Sequence, residues 1–238
     1  MEHAVNIKPP PLTDYAPPTM PLRVLHEDAS LLLVDKPAGL LSVPGKAAEH
    51  WDCLEHRMAA AYPGARLIHR LDMDTSGIMV FARSALAQRH VNWQFERRQV
   101  RKSYLARVSG VVADDAGRID LPLRCDWPNR PLQMVCAERG KPSVTDWAVL
   151  RRDADTTLMR LFPQTGRSHQ LRVHLRALGH TILGDRFYGG APAARLMLHA
   201  ETLELRHPEG GAWHRFHAPC PFEETVPEGS VRPLEDEG

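Results

Sequence analysis

The stretch HRLDMDTSG, residues 69–77, sets charged and small polar residues between two apolar runs, 67–68 before it and 78–81 after it. Asp, Thr, Ser and Gly are turn formers, so one reading is a turn that feeds a strand. Asp72, Asp74, Ser76 and Gly77 also match the opening of a calcium loop. That reading fails, because the twelfth position from Asp72 is Arg83, where a bidentate carboxylate is needed. The run that follows is also strand-like where a helix is required. A third reading is a reactive carboxylate, Asp72, held rigidly at a strand end beside Arg70. It needs a cation and a platform for the substrate elsewhere in the chain. The turn and the catalytic carboxylate both stand on these residues alone.

Moving outward, β-branched or aliphatic runs bounded by Gly, Pro, Asp or Asn predict strands at 31–35, 77–82, 104–108, 143–150, 158–162 and 197–205. One helix is expected from an N-cap at Ser84 towards Arg98. Another is expected from near Ser168 to just before Gly179, a natural C′ residue. Its Leu171, Leu175 and Leu178 follow i, i+4, i+7 spacing, so one stripe faces a core, with Arg172 and Arg176 on a different face. Many strands, few helices and no regular βαβ alternation give an α+β fold. Six prolines in residues 1–21 make that segment an extended or disordered arm, and residues 223–238 read as a loose acidic tail. The span 22–222 is left as one catalytic domain. Glycine fingerprints for dinucleotides and nucleoside triphosphates are absent, which removes hydride and phosphoryl transfer from the candidates.

The formal net charge is only +1, yet the charge is uneven. Between residues 66 and 107 there are nine Lys/Arg against Asp72, Asp74 and Glu96, so a nearly neutral chain can still carry a basic face. Cys53, Cys125, Cys136 and Cys220 form no CxxC pair, which argues against a zinc knuckle and fits reduced thiols in a cytosolic protein. The apolar runs are strand-sized, too short for a membrane helix, and no signal peptide opens the chain.

HRLDMDTSG resembles the catalytic motif of the RluA-type pseudouridine synthases. KPAGLLS at 36–42, RKSY at 101–104, TGRSHQLRVH at 165–174 and GDRFY at 184–188 resemble further motifs of that family, in its order, over roughly residues 22–220. The resemblance implies a mixed, largely antiparallel sheet with flanking helices and a central RNA-binding cleft. It also implies an isomerase that uses no cofactor and no metal. CDWPNRP at 125–131 and GKP at 140–142 point to the branch that modifies a uridine in the tRNA anticodon loop and one in a 23S rRNA stem-loop. The residues before 22 are too few for the S4-type RNA-binding domain of other branches. A cytoplasmic monomer is expected.

By the same resemblance Asp72 is the catalytic carboxylate, Arg172 the cation that keeps it ionised, and Tyr104 the ring that holds the turning base. Arg70 is expected to fill the space left by the flipped base. Thr75, Arg167, His169, Gln170, Leu171, Arg101, Lys102 and Arg130 are expected to bind the base or the RNA. Arg97, Arg98, Arg107 and Arg176 are further phosphate candidates. The histidines match no standard metal-ligand spacing. An RNA-binding module of the same fold without catalysis is the second reading; the joint presence of Asp72, Tyr104 and Arg172 argues against it. An unrelated basic-faced β-rich binding protein is the third, and the ordered motifs leave it remote.

Overall fold

The computed structural model describes residues 15–223, so the arm up to residue 14 and the tail from 224 lie outside the described residues. The chain runs β1 (Arg23–Glu27), β2 (Leu31–Lys36), α1 (Leu54–Ala61), β3 (Arg66–Leu67), β4 (Ser76–Ala82), α2 (Ala85–Glu96) and β5 (Arg101–Ser109). Then come β6 (Ala116–Asp120), β7 (Leu123–Cys125), β8 (Gln133–Val135), β9 (Val144–Arg152), β10 (Thr156–Pro163), α3 (Gln170–Ala177), β11 (Leu198–Arg206) and β12 (Trp213–His217). The class is α+β, as the strand-rich sequence predicts, and the mixed, mostly antiparallel sheet is the one the family resemblance implies. Within the 22–222 span there are two compact units. We call 106–197 the central unit, and 15–105 with the residues from 198 onward the split unit.

In the split unit the strand order is β1-β2-β4-β11-β5, with β12 beside β11 and β3 beside β4. Leu31, Leu32, Leu33 and Val34 are all fully buried, so both faces of β2 are covered, which is what an unbroken apolar run requires. β4 is buried along its whole length. Its pairing with β2 is antiparallel and its pairing with β11 is parallel, with Ser76 opposite His199 and Gly77 opposite Ala200. Gly77 has φ +117, and a Cβ there would lie 2.2 Å from the Ala200 carbonyl oxygen, so no other residue fits. Ser84 caps α2 by accepting a hydrogen bond from Ala87 N at 3.1 Å, as its position in the sequence predicts. Residues 15–21 form no helix. Tyr15 Oη donates to the Asp52 carbonyl at 2.7 Å, and Arg57 donates to the Pro18 carbonyl at 2.7 Å.

In the central unit the order is β5-β10-β9-β6, with β7 and β8 as a separate hairpin. Strand β5 divides between the units after Leu105. The hairpin packs through Leu123 and Leu132 against Val173, Phe187 and Tyr188. Helix α3 begins at Gln170, two residues later than expected, because His169 adopts a left-handed conformation (φ 53) at its N-cap. The single apolar stripe expected for this helix is replaced by burial of every residue from Gln170 to Leu175, while Arg176 is exposed. The polar groups this encloses are paired: His174 bonds Thr145 Oγ1 at 2.9 Å and the Leu121 carbonyl at 3.0 Å. Arg172 is therefore a core residue, and does not share an outer face with Arg176.

Candidate active site

Asp72 sits between β3 and β4. Thr75 N donates to the Asp72 carbonyl at 3.1 Å, so residues 72–75 form a turn. The turn reading is thus the local geometry of the segment. Residues 36–42 hold this turn on both sides of the carboxylate. The Lys36 side chain is buried, and its Nζ donates to the carbonyls of Pro37 (2.9 Å), Leu40 (2.7 Å) and Met73 (2.9 Å). Such bonding offsets the desolvation of a buried ammonium group. Gly39 N donates to the same Met73 carbonyl at 2.9 Å. Ser42 Oγ donates to the Leu71 carbonyl at 2.7 Å and accepts from Leu71 N at 3.1 Å. Both chain neighbours of Asp72 are therefore fixed by one segment. Past the turn, Ser76 Oγ bonds His199 Nδ1 at 2.8 Å, and His199 Nε2 donates to the Ala218 carbonyl at 3.0 Å.

His69 accepts a hydrogen bond from Val80 N through Nε2 at 3.2 Å and stacks on Phe95 with ring centroids 4.9 Å apart. Burial, and then the Lys102 charge, pull its pKa down to about 3. Lys102, whose own pKa is lowered by burial, lies 5.9 Å from the Phe95 ring centroid. Unfolded histidine titrates near ~6.5, so below that value the unfolded chain holds a proton that folded His69 refuses. The stability tied to neutral His69 is fully present above about pH 6.5 and falls as pH drops towards about 3, by up to ~1.4 kcal/mol per pH unit. Melting at about pH 7 and about pH 5 should show a larger loss for the wild type than for His69→Gln. Equal losses would mean that the folded histidine accepts the proton.

Tyr104, on β5, packs against the split-unit core. Burial raises its phenol pKa, and the negative charge of Asp72 raises it further. Asp72 and Tyr104 are therefore electrostatic neighbours within one unit, with the phenol held in its OH form. Arg70 and Arg101 are exposed, and Thr75 is buried in the turn.

The remaining site residues belong to the central unit. Arg172 and Asp185 form a buried fork, Nε to Oδ2 at 2.8 Å and Nη2 to Oδ1 at 2.7 Å, with side chains 2% and 0% exposed. Asp185 Oδ1 also accepts from Phe187 N (3.0 Å) and Tyr188 N (3.2 Å), and the guanidinium lies 5.0 Å and 5.2 Å from those two rings. Tyr188 Oη accepts from Gln133 N at 2.9 Å and bonds His169 Nδ1 at 2.7 Å. Gln170 is buried, and its amide braces the preceding loop. Its Oε1 accepts from Thr165 Oγ1 and Arg167 N, and its Nε2 donates to the Val144 carbonyl and Thr145 Oγ1. Leu171 is buried beside it. Arg167 is exposed and reaches the Pro142 carbonyl, and exposed Arg130 lies 4.5 Å from the Trp127 ring centroid. Arg107 is engaged by Asp153 and Thr156. Among the described residues no three or more His, Cys, Asp or Glu side chains cluster as a metal would require.

Asp185, Lys36, Gly39 and Ser42 were not given roles by sequence reasoning. Each lies inside one of the stretches, KPAGLLS or GDRFY, that carry the family resemblance, and that was the available signal.

Comparison with known proteins supplies the family context. Residues 30–177 match the family model described as RNA pseudouridylate synthase. The chain is 50% identical over 221 residues to the dual-specificity RNA pseudouridine synthase RluA of Vibrio vulnificus, covering 89% of this chain and 88% of that one. It is 50% identical over 217 residues to the protein of the same name from Escherichia coli K12, covering 89% and 99%. Among solved structures, human RNA pseudouridylate synthase domain containing 1 superposes with a TM-score of 0.73 at 29% identity, covering 85% of each chain. Human RNA pseudouridylate synthase domain containing 4 gives 0.69 at 27% identity, covering 84% of this chain and 89% of that one.

Proposed function

The chain belongs to the RNA pseudouridylate synthase family, and from that premise we propose that it isomerises uridines in the tRNA anticodon loop and in a 23S rRNA stem-loop, with Asp72 as the reacting carboxylate. The observation that carries this reading is the clamped turn: a carboxylate with both neighbours fixed, close enough to Tyr104 for its charge to be felt there. The name shared by relatives at 50% identity supports the two RNA classes. The enzyme is an isomerase.

The reaction breaks the C1′–N1 bond, turns the uracil and joins C5 to C1′. N1 gains a proton, and the C5 proton is lost to solvent. The uridine first leaves its stack, which costs about a few kcal/mol and less in a loop. Arg70, exposed beside the turn, is the group we assign to the space it leaves. Asp72 then attacks C1′, adds to the base, or takes a ribose proton. Arg172, its guanidinium oriented by the Asp185 fork, is the basic member we assign to the catalytic set. Tyr104 holds the freed base by stacking, at about 1–3 kcal/mol, which does not oppose rotation in the ring plane. Because its phenol is held as OH, it can take the C5 proton only by passing its own proton on, and Asp72 is the neighbouring acceptor. Thr75, Arg167, His169, Gln170 and Leu171 are assigned to binding the base or the RNA, and Arg101, Lys102 and Arg130 to phosphates. The setting proposed is the cytoplasm, with a monomer acting on RNA and no cofactor.

The test is tritium release from C5-labelled uridine in an anticodon stem-loop by purified protein. Release without added metal or nucleotide is expected. Absence of release from both an anticodon and a 23S stem-loop would remove the proposed substrates. Tyr104→Phe keeps the ring and loses the hydroxyl, so release should fall by about 100-fold or more with RNA affinity retained. Wild-type turnover by that variant would end the proton-transfer role.

A further inference from the structure

Beyond Arg101, already assigned to phosphate, the split unit carries a second basic and aromatic surface where the end of α2 meets β11, the strand that pairs with β12. Gln94, 1% exposed, docks the helix there. Its Nε2 donates to the Arg206 carbonyl and its Oε1 accepts from Arg206 N, both at 2.8 Å. That places the outer side of α2, with Trp93 47% exposed and Arg97 5.8 Å from its ring centroid, beside the end of the sheet. On the sheet, Trp213 lies opposite Arg206, and Arg215 opposite Glu204. The Arg101 and Arg206 guanidinium carbons lie 5.1 Å and 4.9 Å from the Trp213 ring centroid, and the ring is 44% exposed. Arg101 and Arg215 share Glu204, at 3.9 Å and 3.4 Å, and Glu96 is the one acid of the 93–101 segment, which holds Arg97, Arg98 and Arg101.

Two features argue that this surface does more than solubilise the fold. First, Arg98 holds a left-handed backbone conformation (φ 57) just past the end of α2, where glycine is the favoured residue. Its side chain makes no hydrogen bond or ion pair among the described residues, so the strain is borne without a partner in the fold. Second, Arg101 and Lys102 are neighbours on β5 and point to opposite faces of the sheet. Lys102 lies on the Tyr104 side and Arg101 on the Trp213 side. Arg101 opens β5, so the second surface begins at the strand end next to the Lys102 and Tyr104 face.

We propose that this surface holds an unpaired flank of the RNA substrate, with bases stacked on Trp93 and Trp213 and phosphates on Arg98, Arg206 and Arg215. The inference rests on the reading of the protein as an RNA-modifying enzyme. Exposed indoles accept any base, and arginines track the backbone, so the surface adds affinity without choosing sequence.

The test compares a blunt uridine-containing stem-loop with the same stem-loop carrying roughly ten-nucleotide adenosine tails. For the wild-type chain the tails should tighten Kd by about tenfold. Arg206→Glu with Arg215→Glu should abolish that gain and lower the salt slope of binding to tailed RNA by about two. Tritium release from the blunt stem-loop should stay unchanged. Arg98→Gly should weaken binding of tailed RNA while raising the melting temperature by about 2 °C, a pairing that damage to the fold cannot produce. Tails that add nothing, or a double variant that still profits from them, would overturn the proposal while leaving the enzyme reading intact. If the wild type released no tritium from the blunt stem-loop, the enzyme reading would fall and this inference with it.

Discussion

Asp72→Asn should lower tritium release by at least about 1,000-fold and leave RNA affinity within about twofold. The substitution keeps the size and most of the hydrogen-bonding shape of the side chain. What it removes is the negative charge and the ability to attack carbon or take a proton. The main chain of the surrounding turn has contacts of its own. It is held by main-chain contacts, from Thr75 N to the Asp72 carbonyl, from Lys36 and Gly39 to the Met73 carbonyl, and from Ser42 to Leu71. The fold and the RNA-binding groups should therefore survive while the chemistry stops. The phenol of Tyr104 supplies a second readout. Part of the upward push on its pKa comes from Asp72, so its titration should move down in the variant. Near-normal release by Asp72→Asn would place the reacting group elsewhere.

The second large effect is expected at Arg172 and Asp185. Replacing Arg172 by Met should destabilise the protein by about 3–5 kcal/mol, because Asp185 would remain buried with its main partner gone. For a chain of this size that lowers the melting temperature by about 10 °C. Arg172→Lys should recover little, since an ammonium group cannot reproduce the two-pronged contact of Nε and Nη2. Replacing both residues by apolar side chains of similar volume should melt closer to the wild type than Arg172→Met does, and should still be inactive. That separation distinguishes the structural half of the arginine's work from its proposed part in the reaction. An Arg172→Met protein that melted within about 2 °C of the wild type would show that the buried fork contributes little.

The site was more legible in the sequence than the elements that support it. HRLDMDTSG sets its polar residues against apolar flanks, so Asp72 stands out, whereas Tyr104 was marked only by the family resemblance of RKSY. Ser84 and the apolar run of β2 carry their own local signals, and both elements form where expected. By contrast, β6 buries only Ile119 and β12 only Phe216. One buried side chain leaves no alternation to read. Helix α1 shows only Leu54 and Met58 to the core, too few for a stripe. The period of three leucines placed Arg172 in the right helix, but it says nothing of the buried aspartate thirteen positions on that holds its guanidinium. The Arg–Trp surface was illegible for the same reason. Arg206, Trp213 and Arg215 are brought together by strand pairing, and α2 reaches Arg206 through Gln94, contacts that have no local signature.

The split unit has a consequence for synthesis on the ribosome. Gly77 and Ser76, which end the Asp72 turn, pair with Ala200 and His199, and His199 is secured in turn by Ala218. A nascent chain exposes the acid early but lacks the strand that braces its turn until more than a hundred further residues have emerged. Activity should accordingly arrive late and all at once, and a ribosome stalled before β11 should carry a chain that cannot act on the RNA around it.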